Sequence, residues 1–469
     1  MPSPAPGPVR FDALPGNGPT SLLGSLDAPD LAAAGYVEEE LRVTASVRPY
    51  RSATESLPTD GRFDLVAGDP VEAVTRIVVR RPADPAAFRG TVVVEWLNVS
   101  SGADTAPGYG FFGHEVVRQG HAWVGLSAQK AGIESAPALV QIDGGIALVG
   151  VRQADPERYG SLHHPGDAHA HDLLTVVTRA LRDPDHPDQP LGGLAVERVL
   201  ATGESQSAYL LTTYVNGVQP IERTVDGFLI HSRGGPAAPL DGPDGRIDLE
   251  AGRDDPGVVI RDDLDVPVLV IETETDVLGH LDFLRARQPD TDRLRTWEIA
   301  GTAHADRSLV GDFEEVLGCP GPVNRGQQRF VVRAALRWLD RWAADPTGVL
   351  PPSAPPLDVV DDRADGSFGY AVDDVGNVTG GVRTPCVDAP AERLTGLAAP
   401  GANRACLLFG QTLPLPADVL RRRYASVADY RERYEQATDD AIAAGFILED
   451  DRDEVLADAR PEVIEAARD

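Results

Sequence analysis

The sequence predicts an α/β protein built on a mostly parallel, doubly wound sheet. Three observations carry that expectation. Short apolar runs that read as strands alternate with amphipathic helical patterns over Thr91–Trp342. The stretch Phe88–Asn98, FRGTVVVEWLN, holds a continuous apolar run, as in a strand buried on both faces. Third, a strand at Val199-Leu200-Ala201 leads into Gly203-Glu204-Ser205-Gln206-Ser207 and then into a helical pattern reaching about Val215. Strand, tight turn with a central serine, then helix is a layout that lifts a hydroxyl clear of a sheet edge.

In chain order, residues 1–35 are rich in Pro and Gly and read as irregular. Val37–Val47 and Ala73–Arg80 alternate like strands. The run within Phe88–Asn98, a helix over Gly113–Gly120 and a strand over Ala122–Ser127 together make a βαβ unit. Ala131–Pro165 is long, polar and Gly-containing, and is expected to help shape a substrate pocket. Asp172–Arg182 is an amphipathic helix, and strands follow at Val225–His231, Val266–Glu272 and Leu294–Ile299. Between the first two of these, Ser232–Asp265 is acidic and Gly/Pro-rich, with room for a small lid. Gln328–Trp342 is a strongly amphipathic helix. Asp345–Pro356, DPTGVLPPSAPP, has the composition of a linker. The expected organisation is an irregular segment at 1–35, a core at 36–345 and a C-terminal extension at 346–469 packed on the core.

The chain has 469 residues and a formal net charge of −30. That charge argues against nucleic acid or an anionic membrane as partner. Lys130 is the only lysine among many arginines. No apolar run reaches the roughly 18 residues of a membrane helix. No basic segment followed by an apolar stretch marks a signal peptide, so a cytoplasmic location is expected. The three cysteines, Cys319, Cys386 and Cys406, lack metal-type spacing; one pair could bridge, but the odd count favours free thiols.

Acyl transfer by a serine needs a base within reach and an acid to orient the base. Ser205 is the candidate nucleophile. Gly203 and Ser207 supply the small residues two before and two after it, with Ser207 standing where Gly is common. His304, in the loop AGTAHAD after a strand, is the candidate base. The run VLVIETETDVLG offers Glu272, Glu274 and Asp276 as acids. Asp276 is preferred, since a residue past the strand end can turn back towards His304, and Glu274 is the alternative. The order Ser205, Asp276, His304 is that of α/β-hydrolases. The oxyanion donors are expected to be the N–H of Gln206 and a backbone N–H near Val99, from the set Asn98, Val99 and Ser100. Four histidines, His163, His164, His169 and His171, crowd one segment, but no cysteine accompanies them and the serine mechanism calls for no metal or cofactor.

The segments VVVEWLNVSSGAD, AWVGLSAQKAG, YGSLHHPGD, ATGESQSA, ETETDV, WEIAGTAHAD, CPGPVNRG and GNVTGGVRTP together resemble a bacterial family of alpha/beta hydrolase domain-containing proteins. The resemblance covers roughly residues 35–450. It implies an α/β-hydrolase fold, Ser205, His304 and an acid within ETETD, and hydrolysis of small-molecule carboxylic esters. It also implies that the segment after the last core helix belongs to the same unit. An acyltransferase with the same triad and a non-catalytic binding protein on the same fold stand as alternatives. Acyl and alcohol specificity and oligomeric state are not written in the sequence.

Overall fold

A computed structural model describes residues 9–16, 20–22, 27–138, 148–361 and 368–468. Among them, nine strands share one sheet: β1 (Arg10–Ala13), β2 (Tyr36–Val47), β3 (Val71–Pro82), β4 (Thr91–Trp96), β5 (Ala122–Leu126), β6 (Arg198–Glu204), β7 (Gly227–His231), β8 (Val268–Thr273) and β9 (Leu294–Ile299). Their order across the sheet is β1-β2-β3-β5-β4-β6-β7-β8-β9. The β1–β2, β2–β3 and β3–β5 pairings are antiparallel, and every pairing from β5 to β9 is parallel. Strand β1 corrects the expectation that residues 1–35 are irregular throughout, for it extends the sheet by pairing Arg10–Ala13 with Leu41–Thr44.

Alternation of side chains explains why the central strands read as unbroken apolar runs. Val199 and Ala201 of β6, Phe228 and Ile230 of β7, and Val268 and Val270 of β8 enter one core. Leu200, Leu229, Leu269 and Ile271 enter another on the opposite face. Helix α1 (Pro107–Arg118) covers the second face, while α2 (Ala170–Arg182) and α3 (Gln206–Thr213) cover the first. After β8 comes the short helix α4 (Glu274–Leu278), then, beyond β9, α5 (Gln328–Ala344), which packs beside α1. Val331, Val332, Ala335, Leu336 and Leu339 form the buried stripe of α5 at the spacing the sequence shows.

The C-terminal extension has a small core of its own. Tyr430 and Tyr434 of α6 (Val427–Ala443) meet Tyr424 and Phe330, the latter from α5. Leu357 reaches into the main core. The expectation of free thiols is corrected: Cys319 and Cys406 form a disulfide, with Cα atoms 5.5 Å apart, and Cys386 is free and buried. The bonded pair lies 87 positions apart in the chain, so no local spacing could announce it. No helix among the described residues is long and apolar enough to cross a membrane.

Candidate active site

Strand β6 ends at Glu204 and α3 begins at Gln206, so Ser205 occupies the junction alone. Its backbone sits at φ 58°, ψ −122°, a strained conformation that a serine adopts only where the surroundings enforce it. Gly203 makes the turn possible, because a Cβ there would lie 2.8 Å from the Ser207 carbonyl oxygen. Ser207 stands where glycine is common. Its buried hydroxyl accepts from the Glu204 N–H (3.1 Å) and donates to the Glu204 carbonyl (2.8 Å), closing the turn on itself.

His304 follows β9 in its loop and is 3% exposed. Its Nε2 is 2.7 Å from Ser205 Oγ and its Nδ1 is 2.6 Å from Asp276 Oδ1. Asp276 lies in α4, a turn of helix where an open loop was expected. There it closes a capping box with Thr273, its Oδ2 accepting from the Thr273 N–H and hydroxyl. The Ser232 hydroxyl also donates to that oxygen at 2.7 Å. Burial alone would push Asp276 up, but His304 and these donors hold it below the usual carboxylate value. Burial opposes charge on His304 too, yet Asp276 and Glu204 raise the imidazole above 6.5. Such a chain can draw a serine proton onto an imidazole.

Glu274 is occupied elsewhere. Its carboxyl accepts from the N–H groups of Gly301 (2.6 Å) and Gly396 (2.8 Å), and burial pushes it up to about 7. It ties the loop carrying His304 to the C-terminal extension. Glu272 is buried in β8, and burial raises it well above the ordinary value. Three contributors had no signal in the sequence: Ser232 and Gly396, which only the fold brings here, and the Glu204 side chain, whose Oε1 is 3.5 Å from His304 Nε2.

Gln206 opens α3, so its N–H lacks a helical carbonyl partner. The Val99 N–H meets only the Gln206 side-chain oxygen, at a long 3.4 Å. Asn98 departs from the expectation. Its N–H donates to the Thr105 carbonyl (3.0 Å) and its amide to the Glu204 carbonyl (3.0 Å), so it braces the turn.

A pocket partly open to solvent lies over Ser205. Tyr209, Leu249, Leu281, Leu407 and Leu408 supply its apolar wall. At its mouth Glu250 pairs with Arg404 (2.7 Å) and His280 (3.3 Å). The acidic stretch after β7 and the C-terminal extension thus both reach the site. The described part of Ala131–Pro165, expected to do the same, does not line this pocket; residues 139–147 of it lie outside the described residues. The histidine segment has structural contacts. His164 meets the Ala128 carbonyl, His169 that of Gly166 and His171 that of Leu210, while His163 is exposed. Among the described residues no group of three or more His, Cys, Asp or Glu side chains could hold a metal ion.

No curated protein matches the chain in sequence. Among solved structures, fungal esterases from Rhizomucor miehei are 10% identical, with a TM-score of 0.32 over 67% of this chain and 87% of theirs. A serine hydrolase without a lid from Xanthomonas campestris is 14% identical, with a TM-score of 0.30 over 64% and 94%. A glucuronoyl esterase from Solibacter usitatus is 12% identical, with a TM-score of 0.29 over 63% and 82%. These likenesses are distant, and the assignment rests on the family match instead. The model of the alpha/beta hydrolase domain family matches residues 5–457, nearly the whole chain. The protein therefore belongs to that alpha/beta hydrolase family.

Proposed function

We propose that the protein hydrolyses small-molecule carboxylic esters through an acyl-enzyme formed on Ser205. The observation that carries this reading is the unbroken hydrogen-bonded chain Ser205–His304–Asp276 beneath an apolar pocket. In this reading His304 Nε2 takes the Ser205 proton as Oγ attacks the ester carbonyl carbon. The N–H groups of Gln206 and Val99 receive the oxyanion, the Val99 N–H exchanging its long bond to the Gln206 side chain. Collapse expels the alcohol, which takes its proton from His304. Water, with His304 again as base, then releases the carboxylic acid and restores Ser205. Asp276 stays ionised throughout, in keeping with its lowered pKa.

A panel of p-nitrophenyl esters of rising chain length tests the reading. The wild type should turn over members of the panel. Ser205→Ala should keep its fold and lose turnover by about 10⁴-fold or more. Near wild-type activity in that variant would remove the proposal.

A further inference from the structure

Glu204 is the last residue of β6, and its side chain is 5% exposed. Its Oε1 lies 3.5 Å from His304 Nε2, the same nitrogen that meets the Ser205 hydroxyl. Among the described residues no arginine or lysine pairs with it. Among the described residues its side chain has one hydrogen bond, a long one of 3.4 Å from Asn98 Nδ2 to Oε2. A buried carboxyl with so little support is costly unless a cation arrives beside it. In the reading above one does arrive, on Nε2, each time His304 accepts the serine proton.

We propose that Glu204 is a positioning residue for the His304 imidazolium: its carboxylate lies beside Nε2 and stabilises the positive charge there until the leaving group takes the proton. This deepens the esterase reading and rests on it. The geometry divides the imidazole between two carboxylates, with Asp276 on Nδ1 and Glu204 beside Nε2. The groups that face Glu204 are His304 and Asp276, Glu95 from β4 and Asn98 from the loop after it. His231 of β7 stands opposite in the strand register and is itself kept neutral by burial, its pKa lowered to about 4. Burial, against the pull of His304, and then the charges of Asp276 and Glu95 push Glu204 up to about 7. Below that pH the carboxyl carries a proton. It then offers the imidazolium no charge. Above it the carboxylate is in place before the reaction starts. Glu204 and His304 therefore titrate as a coupled pair.

The test is Glu204→Gln, which keeps shape and removes the charge. Glu204 is one of the groups that raise His304, so its loss lets the imidazole stay neutral to lower pH. The acid limb of kcat/KM should move down by about one pH unit. The plateau kcat should fall by roughly tenfold, the rate equivalent of one pKa unit of imidazolium stabilisation. A merely structural role would lower the profile without moving it. The second readout needs no substrate: the proton NMR titration of the His304 Nδ1–H should show the same downward shift. Glu204→Ala, read in the same way, covers the case in which the amide variant does not fold. An unshifted imidazole midpoint in the folded variant, with or without lost activity, overturns the proposal. Absence of ester turnover in the wild type strikes instead at the hydrolase reading on which it rests.

Discussion

At the scale of single residues, the choice between Asp276 and Glu274 shows what a sequence can and cannot say. Distance along the chain favoured Asp276, since it lies past the strand end. What the sequence hid was the reason Glu274 is also buried and acidic: it holds two backbone N–H groups from loops far apart in the chain. The two carboxylates should therefore fail in different ways. Asp276→Asn should cost about 10⁴-fold in turnover in the protein that folds, as for a triad left with the wrong tautomer. Glu274→Gln puts an amide nitrogen against one of the two N–H groups, and an unsatisfied buried donor costs about 1–3 kcal/mol. Its melting temperature should fall, with a smaller effect on turnover in the folded protein. Crippled turnover in the glutamine variant beside an active Asp276→Asn would reverse the assignment. The pH dependence has its sign set by His304. Its pKa is raised above 6.5, so kcat/KM should fall as pH falls through a midpoint higher than that of an ordinary imidazole. A midpoint below 6.5 would contradict the electrostatics of the site.

At the scale of elements, the turn between β6 and α3 was legible because its demands are local. A small residue must precede the serine by two positions, and GESQS meets that need. Gly203→Val should prevent the turn from forming, since even a Cβ would lie 2.8 Å from a backbone carbonyl. A folded, active Gly203→Val variant would show that the turn relaxes more than the geometry allows. Helix α4 was less legible, because its capping box lies among acids that read equally well as a solvated loop. The disulfide was not legible at all. It joins the segment after His304 to the stretch holding Arg404, Leu407 and Leu408, which line the pocket. The double variant Cys319→Ser/Cys406→Ser should lose about 2–4 kcal/mol of stability. It should also raise KM more than it lowers kcat, because the serine and its base are not on the released wall. Unchanged stability and an unchanged KM would mean that the bond is dispensable to the pocket.

At the scale of the whole molecule, alternating apolar and amphipathic stretches foretold the parallel sheet, since both of its faces must be covered. The strand order and the place of β1 were not foretold, because pairing partners lie far apart in the chain. The tyrosines of the C-terminal extension explain how it packs. Their rings fill its core while their hydroxyls find partners, as Tyr434 does with the Gln327 amide at 2.9 Å. The extension also supplies Gly396 to Glu274 and part of the pocket wall. A chain ending near Asp345 should accordingly be insoluble or inactive. Full activity with an unchanged ester profile would make the extension an independent module.

The central claim is that Ser205 carries the acyl group. Acid quenching during turnover of a p-nitrophenyl ester, followed by mass spectrometry of the digested chain, tests it most directly. The account predicts an acyl adduct on the peptide containing Ser205 that is absent from Ser205→Ala. An adduct on another residue, or turnover that persists in Ser205→Ala without one on that peptide, would contradict it.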